Sequence, residues 1–256
     1  MLIDAHCHLD DEQFANDLDT VVARAEHAGV TAIITAGIDI ESSRAAVALA
    51  GRYEIVYAVV GIHPHRVESF SAETLPAIRD LASQRKVVGI GEIGLDFHYE
   101  DAAPRETQER SLLAHLDLAQ ELGKPVVIHA RDAHAELMAI IRGRNSKPRG
   151  ILHGFSGDLA MAREAIDLGY LISFAGNVTF KNATRLQDIA TTLPLDRIVV
   201  ETDAPYLSPL RGRRNEPANA ARVAAKVAQL RNLEPSVVAQ ATTHNCAMLF
   251  GLSKPP

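Results

Sequence analysis

The sequence predicts an α/β protein with the (β/α)8, or TIM-barrel, fold in a single domain over residues 1–256, with an extra C-terminal helix. Eight short apolar runs recur along the chain, and each is followed by a segment of helical periodicity. Eight such units of about 32 residues fit the length of this barrel. An open doubly wound sheet is the alternative, but no glycine-rich G-x-G-x-x-G turn follows the first run. The barrel is therefore the favoured fold.

The eight apolar runs are the predicted strands. They are rich in Val and Ile and show little polar alternation, which is typical of strands buried on both faces of a parallel sheet. In chain order they read LIDAHCHL from residue 2, TAIITAG from 31, IVYAVVGIH from 55, VVGIGEIGL from 87, PVVIHA from 125, GILHGF from 150, YLISFAG from 170 and RIVVETD from 197.

The segments between the runs are the predicted helices. The clearest follows the fourth run, where Leu112, Leu116 and Ala119 recur at helical spacing and Gly123 provides a stop. The last helix is predicted near residues 235–250, because Pro235 is tolerated in a first helical turn.

Composition restricts the classes of function. The chain is 47% hydrophobic and 23% charged, as in soluble globular proteins, and its net charge of −6 argues against a general nucleic-acid coat protein. It does not exclude a nuclease, because bound metal ions and a basic loop would supply the attraction. Cys7 and Cys246 form no disulfide framework, and the sequence shows neither a signal peptide nor a membrane span. A cytoplasmic protein without an obligate protein partner is expected.

Six residues of metal-ligating types lie at the ends of the predicted strands. Because the carboxyl ends of barrel strands meet at one mouth, these side chains are expected to converge there. They are His6 and His8 on the first strand, Glu92 on the fourth, His129 on the fifth, His153 on the sixth and Asp203 on the eighth.

The chemistry of this set predicts two divalent ions. His6 and His8 are two residues apart, so both imidazoles point to one side of a strand while Cys7 packs on the other. Six ligands exceed the need of one four-coordinate ion, which indicates two ions bridged by a carboxylate, with Glu92 as the bridge. The nitrogen-rich set suits Zn, Mn, Ni or Co and suits Mg less well. The glycines around Glu92 are expected to leave room for the ions.

Other polar residues near the predicted mouth are candidates for substrate binding. Arg131 either reaches an anionic substrate or pairs with Asp132. Arg213 and Arg214 either bind phosphate or belong to a solvated loop. His63 and His65, at the end of the third strand, are expected either to contact the site or to cap the chain. Glu201 is expected to support a ligand from deeper in the barrel, and His115 is expected to be exposed on a helix.

The ordered motifs resemble the TatD family of metal-dependent deoxyribonucleases. The resemblance rests on IDAHCHLD, GIHPH, GEIGLDFH, VIHARDA, HGFSG, ETDAPYL and RGRRNEP, and it extends to THNCAMLFGL near the C-terminus. It implies a TIM barrel with two divalent ions, Mg, Mn or Zn, and hydrolysis of phosphodiester bonds in DNA, often as a 3′-exonuclease on single strands. The ligand set carried over from the family falls on the same six residues.

The expected mechanism is attack by a metal-activated water, with Asp203 as general base and Glu92 as the bridging ligand. His63, His65, Arg131, Arg213 and Arg214 are expected to hold the substrate. The rival class is an amidohydrolase-type enzyme that cleaves an ester or amide, including aminoacyl-tRNA. Many such enzymes bridge their ions with a modified lysine on the fourth strand, and here the nearby lysine, Lys86, precedes that strand.

Overall fold

The computed structural model describes residues 1–252 and shows the predicted barrel. Eight parallel strands hydrogen-bond in sequence order, from β1 to β8. Backbone hydrogen bonds from His8 N to Ala204 O, 2.7 Å, and from Asp203 N to His6 O, 2.9 Å, join the end of β1 to the segment after β8. The strands are β1 Leu2–Cys7, β2 Val30–Ala36, β3 Val56–Val60, β4 Val87–Asp96, β5 Val126–Arg131, β6 Gly150–Leu152, β7 Tyr170–Phe174 and β8 Ile198–Val200.

Helices lie between the strands and after the last one, as predicted. They are α1 Leu18–His27, α2 Ile40–Arg52, α3 Thr74–Ala82, α4 Arg105–Leu122, α5 His134–Gly143, α6 Leu159–Asp167, α7 Thr184–Thr192, α8 Ala220–Arg231 and α9 Pro235–Phe250. Gly123 adopts a left-handed conformation, φ 63°, and ends α4, while Pro235 opens α9. Among the helices of residues 1–252, none is long and apolar enough to span a membrane.

The apolar core has two layers. The larger one packs the outer faces of the strands against the helices and includes Cys7, which confirms the predicted packing role of that residue. The smaller one lies inside the barrel and includes Val127, Ile151 and Val199, each two residues before a polar site residue in or directly after the same strand. Side chains of α9, Leu249 and Phe250 among them, join this inner layer. The extra helix therefore closes the N-terminal end of the barrel and leaves the C-terminal end for the site.

Candidate metal centre

The structure brings all six predicted ligand residues together at the C-terminal mouth. Glu92 lies at their centre and is 2% exposed, in the middle of a buried strand. Its two carboxylate oxygens face different partners. Oε2 is 3.4 Å from Nε2 of both His6 and His8, and Oε1 is 2.7 Å from His153 Nε2 and 3.2 Å from His129 Nδ1. One carboxylate thus touches two sets of imidazoles, one through each oxygen, and the sets adjoin each other, since the ring centroids of His6 and His153 are 4.0 Å apart.

The first set has the spacing that a single ion requires. His6 Nε2 and His8 Nε2 are 3.2 Å apart, and Asp203 Oδ1 lies 3.6 Å from each of them. Two atoms that each bind one ion at about 2.0–2.1 Å are roughly 3.0–3.4 Å apart at the usual coordination angles. His6, His8 and Asp203 therefore each offer a donor atom within 4.8 Å of the others, and Glu92 Oε2 faces the two imidazoles of this group.

The second set shares Glu92. His129 Nδ1 and His153 Nε2 are 3.3 Å apart, and both face Glu92 Oε1. His63 Nε2 lies 3.4 Å from the same oxygen, while its Nδ1 accepts the backbone N–H of His65 at 3.1 Å. His63 therefore both caps the 3-10 turn over Pro64–Ser69 and faces the site. Groups containing Glu92, His129 and His63, and containing Glu92, His6 and His153, each fall within 4.8 Å.

The electrostatics of the mouth favour a cation. Burial alone would raise the pKa of Glu92, but His153, His63 and His6 outweigh burial and hold that pKa well below its usual range. Burial likewise works against protonation of His8, yet Asp203 and Glu92 raise its pKa to about 9. The carboxylates are therefore ionised, and the attraction that holds a proton on His8 also acts on a metal ion.

Carboxylates behind the imidazoles fix the orientation of the rings. Glu201 Oε1, as predicted, lies behind His153, 3.3 Å from Nδ1, and accepts the Gly154 N–H at 2.6 Å. Asp96, which sequence reasoning missed, is buried, and its Oδ2 lies 3.1 Å from His129 Nε2 and 2.8 Å from His65 Nε2. A carboxylate that accepts the second ring N–H of a histidine sets which nitrogen is free to bind metal. The signal for Asp96 was its position as the last residue of β4.

The glycines beside Glu92 serve a purpose different from the one expected. A Cβ on Gly94 would lie 1.9 Å from the His129 carbonyl oxygen, and one on Gly91 would lie 2.7 Å from Val127 Cβ. Both glycines have positive φ, 150° and 158°. They let β4 approach the β5 backbone closely, so the expectation that they make room for ions was wrong.

The predicted substrate-binding residues separate into two groups. His63, His65 and Arg131 line a cavity of about 580 Å³ at the mouth, a volume typical of small-molecule sites. Arg131 Nη1 donates to Tyr99 Oη at 3.2 Å, while Asp132, its proposed alternative partner, binds His98 Nδ1 at 2.7 Å.

The arginines of the loop after β8 do not reach this cavity. Arg214 binds the Asp17 carboxylate with both terminal nitrogens, at 2.9 and 2.7 Å, and its guanidinium lies 4.6 Å from the Phe14 ring centroid. Arg213 is exposed and, within the described residues, is not part of the cavity lining. Arg214 therefore anchors the loop to the segment before α1.

His115, predicted to be exposed, is fully buried in α4. Its Nδ1 donates to the Ser111 carbonyl oxygen at 2.8 Å, and its ring centroid lies 5.7 Å from that of Phe70. The signal of burial was its spacing, because His115 lies three residues after Leu112 and four before Ala119, on the apolar face of α4. His115 is not part of the cavity lining, and it packs α4 against Phe70 in the segment after β3.

Comparison with known proteins agrees with this geometry. The family model of TatD-related DNases matches residues 3–251. The chain belongs to the TatD family. A Bacillus subtilis relative, the uncharacterized metal-dependent hydrolase YabD, is 36% identical over 99% of this chain and 100% of its own length. A Citrobacter koseri relative called the 3′-5′ ssDNA/RNA exonuclease TatD is 38% identical over 98% of this chain and 100% of its own.

The fold agrees equally well. The crystal structure of YjjV, a TatD homologue from Escherichia coli, superimposes with a TM-score of 0.92 at 35% identity, over 98% of each chain. The resemblance to the TatD family and the predicted barrel are thus confirmed, and the chain is a metal-dependent hydrolase of this family, with relatives named as nucleases.

Proposed function

We propose that this TatD-family hydrolase cleaves phosphodiester bonds at the 3′ ends of single-stranded DNA by means of two divalent ions. The observation that supports this most directly is the carboxylate of Glu92, which presents one oxygen to His6 and His8 and the other to His129 and His153. A carboxylate shared between two donor groups is the arrangement of two-metal hydrolases. The name of the Citrobacter relative supports the choice of a single-stranded substrate and of 3′-to-5′ polarity.

In this proposal each ion has its own ligand set. His6, His8, Glu92 and Asp203 would hold the first, and Glu92, His129 and His153 would hold the second. Divalent ions in such a pair lower the pKa of a bound water and offset the charge that develops on a phosphoryl group. The identity of the ions is Mg, Mn or Zn, and the imidazole-rich ligand set favours Zn or Mn.

The protein residues would position the substrate and move the proton. Asp203 lines the cavity, and its Oδ1 lies 3.6 Å from Nε2 of both His6 and His8. It is the general base that accepts the proton of the attacking water. His63, His65 and Arg131 would hold the flanking phosphate oxygens. Arg213 and Arg214, which lie outside the cavity lining, have no assigned contact.

An ester- or amide-cleaving activity, including aminoacyl-tRNA deacylation, is the competing proposal. A modified lysine would be its expected bridge, but within residues 1–252 no lysine lines the cavity. Lys86 Nζ instead donates to the carbonyl oxygens of Tyr53 and Glu54, each at 2.7 Å, before β4 begins. Glu92, which contacts His6 and His8 through one oxygen and His129 and His153 through the other, offers a bridging carboxylate in place of that lysine and supports the nuclease.

The test uses single-stranded DNA and RNA oligonucleotides labelled at either end, incubated with the purified chain and Mg, Mn, Zn or a chelator. Release of nucleotides from the 3′ end that stops on chelation is the expected result. Duplex DNA, a model ester and aminoacyl-tRNA are the comparison substrates. Turnover of an ester or of aminoacyl-tRNA without nucleic-acid cleavage under any ion would overturn the proposal.

A further inference from the structure

Exposed aromatic side chains are concentrated at one end of the barrel. All seven Phe and five Tyr lie within residues 1–252, and of these only Tyr99, Phe180 and Tyr206 are exposed, by 48, 37 and 52%. Each follows the C-terminal end of a strand, β4, β7 and β8 respectively. Large exposed apolar surface that gathers in one place marks a binding surface. The mouth therefore offers flat apolar faces as well as metal ligands.

Tyr206 stands on the wall formed by the ends of β1 and β8. Its ring centroid is 6.1 Å from that of His8, and its hydroxyl donates to Asp11 Oδ2 at 2.9 Å. That hydrogen bond fixes the ring at the edge of the cavity while half of the side chain stays open to solvent. A ring held in place loses little conformational entropy when a second ring stacks on it.

Tyr99 stands on the opposite wall, because the fourth and eighth strands face each other across an eight-stranded barrel. The Arg131 guanidinium lies 5.2 Å from its ring centroid, and Nη1 of the same side chain donates to its hydroxyl at 3.2 Å. The His65 ring centroid is 5.3 Å away. A cation beside an aromatic ring is suited to a nucleotide, since it attracts a phosphate while the ring stacks on a base.

We propose that Tyr99 and Tyr206 are stacking platforms for the bases on the two sides of the cleaved phosphate. The inference rests on the nuclease function proposed above and extends it to base recognition. Glu92 lies between the two platforms, so a strand that crosses the mouth places a phosphate over the two donor groups and one base on each wall. Phe180, at the rim after β7, extends this path on the Tyr206 side.

The platforms select unpaired bases of any sequence. In a duplex both faces of each base are covered by neighbouring bases, whereas an unpaired base has a free face for an aromatic side chain. Stacking requires neither a particular base edge nor a 2′-hydroxyl, so DNA and RNA are both accepted. The preference for single strands would thus arise from Tyr99 and Tyr206 and not from the metal ligands.

The test combines tyrosine variants with abasic substrates. Oligonucleotides in which one base at a time is replaced by an abasic sugar are compared with the parent strand by kcat/KM, using Tyr99→Leu, Tyr206→Leu and the matching phenylalanine variants. Tyr53→Leu is the matched control. Like Tyr99, Tyr53 has an arginine beside its ring, Arg52 at 4.9 Å, and like Tyr206 it donates its hydroxyl to an aspartate, Asp19. Tyr53 precedes β3 and therefore lies at the opposite end of the barrel from the mouth.

Wild-type protein is expected to lose roughly 5- to 100-fold in kcat/KM for an abasic site at either of two adjacent positions. Each leucine variant should lose a similar factor on the parent strand and become insensitive to one of those two abasic positions. The phenylalanine variants, which keep the ring but lose its hydroxyl bond, should keep the wild-type abasic penalty at both positions and lose less kcat/KM than the leucine variants, and Tyr53→Leu should behave like wild type. Equal cleavage of parent and abasic strands by wild type, or leucine variants that keep the full abasic penalty at both positions, would overturn the proposal.

A binding measurement separates this proposal from the nuclease function. In the presence of a chelator, fluorescence anisotropy of a labelled single strand reports association without chemistry. Weaker binding of single strands to Tyr99→Leu and Tyr206→Leu, with unchanged binding to Tyr53→Leu, supports the platforms even when no cleavage occurs. Unchanged binding in all variants contradicts them even when wild type is an active nuclease.

Discussion

The two ends of the barrel interior are built from the same strands and have opposite character. On β5, β6 and β8 the inward residues Val127, Ile151 and Val199 are apolar and fully buried, and they belong to the layer that α9 closes. Two residues further along, the inward positions hold His129, His153 and Glu201. A shift of two residues along a strand thus leads from the apolar core to the polar site. The residues that stabilise the barrel and the residues that attract cations therefore lie at different heights along the barrel axis.

The largest effects are expected when Ile151 and His153, two inward positions at β6, are changed one at a time. Ile151→Ala should destabilise the fold by about 2–5 kcal/mol, because a buried side chain is lost and a cavity remains. The loss should be the same with and without metal. His153→Ala should instead remove most of the stabilisation that metal confers, which is about 4 kcal/mol when the free ion is at roughly 1,000 times its Kd.

Thermal and denaturant unfolding of both variants, each with saturating Zn or Mn and with a chelator, measures these quantities. Val127→Ala serves as a second core control. A loss of the metal-induced increment in Ile151→Ala, or its retention in His153→Ala, would show that the two ends of the barrel are not separate in this way.

The second prediction concerns the support behind the ligands. Asp96→Asn should reduce metal affinity or kcat/KM by about 10- to 100-fold, because the amide no longer fixes the ring of His129 as the carboxylate does. Asp132, whose carboxylate binds His98 in the loop after β4, provides the matched control, and Asp132→Asn should leave both unchanged. Metal titration and steady-state kinetics check this, and an Asp96→Asn protein with wild-type affinity and rate would refute the role.

The smallest expected effect is the contribution of His115, in the helical layer, to the pH dependence of the free energy of unfolding. Burial, partly offset by the bond to the Ser111 carbonyl, lowers the pKa of His115 to about 4. The unfolded chain takes up a proton near pH 6.5 and the folded chain does not, so this neutral side chain supports folding above that pH and less as pH falls towards 4. Between pH 7 and 5.5 the loss from His115 alone is about 1 kcal/mol.

Comparison of wild type with His115→Leu isolates this contribution, because the two proteins share every mouth histidine. Denaturant unfolding at pH 7 and pH 5.5 should show a smaller acid-induced loss for His115→Leu. An equal loss in both proteins would mean that His115 is already protonated at pH 5.5 in the folded state.

Sequence predicted the parts of this molecule that depend on local pattern. Strand ends are visible because Val- and Ile-rich runs stop at polar residues, so His129, His153 and Asp203 could be placed at one mouth once the barrel was predicted. Arg214 was misread because its partner, Asp17, is 197 residues away in the chain. No local pattern shows such a contact.

Asp96 and the glycines of β4 were missed or misread for a related reason. Whether a carboxylate at a strand end binds metal or orients a ligand depends on where the neighbouring strand places its imidazole. The role of Gly94 depends on how closely β5 approaches, which follows from packing between strands. Pairwise distances of this kind appear only in the folded chain.

The central claim is that Glu92 joins two donor groups, and metal stoichiometry tests it directly. Wild-type protein and Glu92→Gln, with Glu26→Gln as a surface control, are loaded with Zn or Mn, freed of excess ion and analysed for metal per chain. Two ions are expected for wild type and for Glu26→Gln, and at most one for Glu92→Gln, with its circular dichroism unchanged. Two ions retained by Glu92→Gln, or only one bound by wild type, would contradict the bridging role.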